Sequence, residues 1–501
     1  MTELLSGGTW KWCVIPIVLF FGLRLPLVVH QAGGQDEQVF AVPGWTVANE
    51  GVPRVPYLVT DNRATFYQNA DRCLMALPPG LFYFQAPFFQ VLPGGYPTAR
   101  MPLLFGGCLA IGLCFFAAIR FGGGWNAALF AASLLAFSRP LMFTSILARP
   151  DLLCMLCGWG AVLTLWTPSE DWNWNWKRIV VAGALCGLGG LFHPFALVFC
   201  LQCGVWVLAA KGSSRERITR GCLLAFSAAA VLMLWLPLIV KFPQEFQSQF
   251  FANVVDRAGP GLGSRLLNPI PSFRHHFGLI WEFFGPLQAA FFGFGAIFSL
   301  AVLFRQRTSH AGALAMIVGS SLYLTATVAG MHPTKGYWVY PTFWVCVTIG
   351  LALQPWLTSN TVRIRYLSTA AAVVVGLVIF VPGGGLRSAG IYWVNWGDPR
   401  FHAGKFIDQV LEEMPEEGLY LADTSYVFDI YLSGRETLLC QQRELFYGDA
   451  EIPFRYLLAA GEAVQDEWPK QYGAILSTTV GTQVTAQDCF VNIYVPSESV
   501  E

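Results

Sequence analysis

The chain has 501 residues, 54% hydrophobic and 15% aromatic, with only 12% charged residues and a mean hydropathy of +0.50. That balance lies outside the range of soluble domains and points to a polytopic membrane protein. The formal net charge is zero, but residues 1–385 sum to +11 and residues 386–501 to −11, so the C-terminal part is a distinct acidic unit, which argues against a nucleic-acid partner.

A membrane helix needs about 20 mostly apolar residues, because backbone amides in hydrocarbon must bond within the segment. In chain order such runs are predicted at roughly 12–29, 101–119, 125–143, 152–166, 179–192, 194–210, 222–240, 280–304, 311–330, 338–353 and 367–381. This is a mainly α fold, a transmembrane bundle of about eleven helices. The stretch "VVHQAGG" after the first run lacks a small-x-small cleavage pattern, so that run is expected to remain as a helix. In "GLFHPFAL", His193 and Pro194 divide one apolar region into two short helices.

Alternate connections are basic: Arg120, then Lys177 and Arg178, then Lys211, Arg215, Arg217 and Arg220, then Arg305 and Arg307, then Arg363 and Arg365. The positive-inside rule makes these loops and the N-terminus cytoplasmic. The tryptophans of "DWNWNWK", 171–177, are read as anchors at that interface. A long first outer loop, 31–98, then lies on the opposite side, within a membrane domain spanning 1–385. Its run "LFYFQAPFFQVL" is predicted to form interfacial helix. With an odd helix count, residues 386–501 also lie outside. There the strand-like "GLYLADT" and "YGAILSTT" alternate with the helix-like "RFHAGKFIDQVLEEM", giving a small extracytoplasmic α/β domain. Cys440 and Cys489 in it are a candidate disulfide. No cysteine or histidine set has metal-ligand spacing.

The notable polar residues fall on the outer side. They are Asp36 and Glu37, then Arg149 and Asp151 in "ARPD", His193 in "FHP", and His332, Lys335 and Tyr340 in "MHPTKGYWVYP". A carboxylate with dispersed cations suits a reaction in which a base activates a hydroxyl while cations neutralise a departing phosphate. Each residue also admits a structural reading. Asp36 and Glu37 are then solvated loop acids, Asp151 a helix N-cap paired with Arg149, His193 the filler of a helix break, and Lys335 a snorkelling cation. Adjacent residues diverge on most backbones, so Asp36 and Glu37 are expected to act as one base and one supporting acid.

The order of these features resembles the GT-C glycosyltransferases, in particular the protein O-mannosyltransferase and lipid A aminoarabinose transferase group. It comprises a first helix, an outer Asp-Glu, a "PPG" turn, "TARMPLLFGG", "ARPD", "HP" and "KGYWVYP". The likeness covers roughly residues 10–355. It implies a catalytic base at Asp36 beside Glu37, and donor-phosphate or loop-positioning roles for Arg100, Arg149, Asp151, His193, Lys335 and Tyr340. It further implies a polyprenyl-phosphate sugar as donor, an acceptor hydroxyl on lipid, glycan or protein, and inversion at the anomeric carbon. The location implied is the inner (plasma) membrane. The turn "ALPPGLF" lacks the basic residue that many relatives carry before the prolines. No cofactor is evident, and a divalent metal stays open. A transporter or flippase of lipid-linked sugars is the alternative reading; its usual marks are internal repeats and ionisable residues at mid-span.

Overall fold

A computed structural model describes residues 9–34, 36–166, 175–257, 259–308, 310–333, 335–380, 385–465 and 467–497. Trp172 and Trp174 of the expected interfacial anchor lie outside them; Trp176, within them, is exposed and has the Lys177 ammonium 5.8 Å from its ring. Among the described residues six helices are long and apolar enough to cross a membrane, spanning 11–30, 96–120, 214–241, 286–305, 311–329 and 336–357. A seventh span results if Trp125–Phe137 and Arg139–Ile146, bent by 59°, are counted together. The bend follows from Ser138, whose hydroxyl accepts from Leu141 N at 3.4 Å and so caps a new helix.

The count falls below the eleven read from apolar runs because several runs form shorter helices. Asp151–Leu165 has 15 residues, and the stretch through His193 breaks into Trp176–Phe192 and Leu197–Ala209. His193 is extended there, and Pro194 opens a 3-10 turn. Trp176–Phe192 lies close against Ser214–Leu232 through two glycines. A Cβ on Gly183 would stand 2.5 Å from Leu224 O, and one on Gly187 would collide with Ala228 O. Small residues let helix backbones approach where lipid gives no hydrophobic drive.

After helix Val362–Phe380, the chain forms a five-stranded sheet from β1 (Tyr420–Ala422), β2 (Thr437–Leu439), β3 (Tyr456–Ala459), β4 (Ala474–Gly481) and β5 (Phe490–Pro496). The order is β2-β1-β3-β5-β4, parallel among β1, β2 and β3 and antiparallel from β3 to β5 to β4. Helix Ala403–Glu412 buries Phe406, Ile407, Val410 and Leu411, one face of a 3.6-residue period. Cys440 and Cys489 are both free, buried thiols. They flank β2 and β5, which are separated by two strands at about 4.8 Å spacing, well beyond disulfide reach.

This sheet domain grips residues 31–98, the connection between the first two long helices. Gly33 N donates to Ser425 O at 2.9 Å, the Tyr96 hydroxyl to Thr424 O at 2.7 Å, and Leu439 N to Tyr57 O at 2.8 Å. Thr60 donates to Phe446 O, and the Asn62 amide to Glu444 O and Leu445 O. Gly80–Val91 is a helix, as "LFYFQAPFFQVL" predicts.

Candidate functional site

The backbone at Asp36 is left-handed, φ 65°, and Glu37 opens the short helix Glu37–Phe40. Aspartate tolerates this conformation better than most residues, at a cost of about 1–2 kcal/mol. The turn sends the two carboxylates apart: the Asp36 side chain is 39% exposed and that of Glu37 is 0% exposed.

Glu37 faces Arg100 near the start of Tyr96–Arg120. The Arg100 Nε donates to Oε1 at 2.8 Å and Nη2 to Oε2 at 2.5 Å. The rest of the guanidinium is used by Gln31 O and Ala32 O, both at 2.7 Å, and by Val28 O at 3.3 Å. Glu37 in turn accepts from Gly34 N at 2.9 Å and Ala148 N at 2.8 Å. Arg100 is fully buried, so the phosphate contact expected of it has no free donor. The pair instead locks the Asp36 turn to the segment that carries Arg149.

Asp36 faces a cavity of about 250 Å³ whose lining includes Tyr67, Arg149, His193, Arg257, Arg265, His332 and Tyr337. Arg149 donates from Nη1 to Asp36 and from Nε to Asp151 at 2.8 Å, so two carboxylates share one guanidinium. Asp151 opens its helix without capping it by hydrogen bond. Its Oδ1 lies 4.0 Å from His193 Nε2. His193 Nδ1 accepts from Phe195 N at 3.0 Å, which leaves the ring proton on Nε2, facing Asp151 and, at 3.4 Å, the Tyr337 hydroxyl. Burial pushes His193 down to about 4, opposed by Asp151 and reinforced by Arg149. Burial likewise takes His332 down to about 3, with Arg257 adding to it. Both rings are neutral at pH 7.

Lys335 and Tyr340 are placed elsewhere. The Lys335 ammonium pairs with Glu282 at 2.7 Å, away from the cavity lining. Tyr340 is fully buried: its hydroxyl donates to Gln202 Oε1 at 2.7 Å and its carbonyl accepts from Trp159 Nε1 at 3.2 Å. Tyr337, on the preceding turn, is the tyrosine that lines the cavity. Gly336 beside it admits Asp151, since a Cβ there would stand 3.0 Å from Asp151 Oδ2.

Sequence reading missed Arg257 and Arg265, the ends of the glycine-rich stretch "RAGPGLGSR"; Arg265 lies in the short helix Leu262–Leu267. Arg257 donates to Asn253 Oδ1 at 2.9 Å and its guanidinium carbon lies 4.6 Å from the Phe66 ring centroid. Arg265 donates to Val328 O at 2.8 Å. The available signal was two arginines bracketing a glycine-rich turn. Tyr67 was also missed; its ring stacks 6.1 Å from Phe446 of the sheet domain and so joins that domain to the cavity. Among the described residues no three His, Cys, Asp or Glu side chains are grouped to hold a metal ion.

No family model and no curated protein matches the chain. Solved structures do. Apo ArnT from Cupriavidus metallidurans superposes with a TM-score of 0.61 at 15% identity, covering 98% of each chain. The same protein bound to undecaprenyl phosphate gives 0.58 at 15% identity, over 98% of this chain and 99% of that one. The archaeal oligosaccharyltransferase AglB from Archaeoglobus fulgidus, in complex with an inhibitory peptide and a dolichol-phosphate, gives 0.54 at 14% identity, over 98% of this chain and 74% of its own. The chain therefore has the GT-C fold of membrane glycosyltransferases.

Proposed function

We propose that this protein is an integral-membrane glycosyltransferase that moves a sugar from a polyprenyl-phosphate donor to an acceptor hydroxyl. The reaction takes place on the membrane face that bears the sheet domain, which we assign to the outside of the inner (plasma) membrane. The observation that carries this reading is the cavity, whose lining combines an accessible carboxylate, Asp36, with Arg257 and Arg265. ArnT and AglB, which share the fold, were solved with polyprenyl phosphates bound.

In the proposed step Asp36 takes the proton of the acceptor hydroxyl as its oxygen attacks the anomeric carbon. The bond from that carbon to the phosphate oxygen breaks with inversion. The lipid phosphate departs carrying the electron pair, and fixed cations match the charge it gains without needing to reorganise. Arg149 is largely neutralised by Asp36 and Asp151 and orients the base. Arg257 and Arg265 meet the phosphate, and neutral His193 and Tyr337 support Asp151. The test is to incubate purified protein with a panel of polyprenyl-phosphate sugars and score release of the free lipid phosphate. Release from at least one donor is expected. Tight donor binding with no release from any donor, accompanied by movement of intact donor across a proteoliposome membrane, would replace this reading with that of a transporter.

A further inference from the structure

At the end of the bundle opposite Asp36 lies a second, larger space. Tyr96–Arg120 carries Arg100 at the Asp36 end and Arg120 at the other, so Trp125, which begins the next helix, sits at the far end. Between Trp125–Phe137 and Val362–Phe380 runs an apolar groove of about 690 Å³. Thr369, Ala372 and Gly376 line one of its walls, and Gly376 has nothing within 4 Å of a Cβ position. Leu129 and Phe137 line the other. From Arg365 to Leu377, both lining residues, the helix rises about 18 Å, close to the depth of one leaflet of a hydrocarbon core about 30 Å thick.

The groove is not uniformly apolar. Its mouth holds the exposed guanidinium of Arg365, with Arg363 two residues away. Trp125 lines the same mouth and stacks on Trp12 at 5.6 Å, an exposed aromatic pair of the kind that marks the membrane–water boundary. A cation at headgroup level above a leaflet-deep apolar slot is complementary to an anionic phospholipid, and basic pockets between membrane helices bind such headgroups.

We propose that this groove holds one acyl chain of an anionic phospholipid from the adjacent leaflet, with the lipid phosphate against Arg365. The site is independent of the transferase reading. It is tested on the full-length protein in detergent micelles, titrated separately with phosphatidylglycerol and phosphatidylcholine, with bound lipid counted by native mass spectrometry. Wild type is expected to retain one phosphatidylglycerol beyond its phosphatidylcholine count. Arg365→Gln should weaken that retention about fivefold, the factor one cation contributes near an anionic surface, and Arg365→Lys should restore most of it. Gly376→Leu, which fills the slot, should abolish retention while keeping the thermal midpoint. Equal retention of the two lipids by wild type, or retention unchanged in both Arg365→Gln and Gly376→Leu, overturns the proposal. So does a wild-type dimer that Gly376→Leu dissociates, because a second copy would then be the occupant.

Discussion

Asp36 and Glu37 are neighbours in sequence with different surroundings, and one left-handed residue separates them. Glu37 is buried against Arg100 and saturated by hydrogen bonds, so Glu37→Gln leaves a buried guanidinium uncompensated. A loss of about 3–5 kcal/mol is expected, read as a lowered midpoint of thermal unfolding in detergent; an unchanged midpoint with lost activity would instead make Glu37 a chemical participant. For Arg257 the expectation is kinetic. Arg257→Gln removes a charged hydrogen-bond donor from the cavity, and a rise in donor KM of about tenfold or more follows if it contacts phosphate. The place of Asp36 on the cavity matches the reading that put it first in an ordered set of motifs. Arg257 and Arg265 were not foreseen there, since the six-residue helix Leu262–Leu267 and the π-helix Phe246–Asp256 give no α-helical periodicity from which their direction can be read. Lys335 and Tyr340, grouped with Asp36 by sequence, lie off the cavity lining. Side chains a turn apart reach different neighbours, and sequence does not show that Glu282 waits for Lys335.

Two elements hold the cavity. The π-helix Phe246–Asp256 presents Gln249, which donates to Gln68 O and Cys73 O at 2.7 and 2.9 Å and accepts from Met75 N at 2.7 Å. Four residues on, Asn253 donates to Ala76 O at 2.9 Å. Gln249→Ala should therefore loosen the 68–76 segment, seen as faster amide hydrogen exchange confined to that segment and its partner helix; uniform protection would mean that other contacts hold the loop. The 3-10 turn Gly336–Trp338 sits against Asp151, so Gly336→Ala should displace that carboxylate and lower kcat severalfold with little change in unfolding midpoint. The long helices were legible from apolar run length. The break at His193 was legible too, because a proline follows it, whereas the one at Ser138 was not, since it divides the run 125–143 at a capped turn where hydropathy stays high.

At the scale of the whole molecule, the sheet domain and the helical bundle meet through residues 31–98, and Asp429 lies at that junction, 3.5 Å from a Cβ position on Gly95. Burial pushes Asp429 up to about 7, with Asp408 adding and Arg100 opposing. The folded protein therefore holds this proton more tightly than the unfolded chain between about pH 4 and 7, so stability contributed here is present at the acid end and lost as pH rises through 7. Asp429→Asn should flatten the unfolding midpoint across that window, and an unchanged slope would place the titration elsewhere. The acidic C-terminal unit and its α/β pattern were visible in charge and periodicity, whereas its grip on residues 33–62 rests on contacts between distant parts of the chain. The central claim is that one carboxylate in this cavity drives sugar transfer from a lipid phosphate. It is tested most directly by single-turnover release of lipid phosphate from a bound polyprenyl-phosphate sugar, comparing wild type with Asp36→Asn. Donor affinity is expected to stay within a few-fold while the release rate falls by about 10²–10⁴; release by Asp36→Asn at the wild-type rate would contradict it.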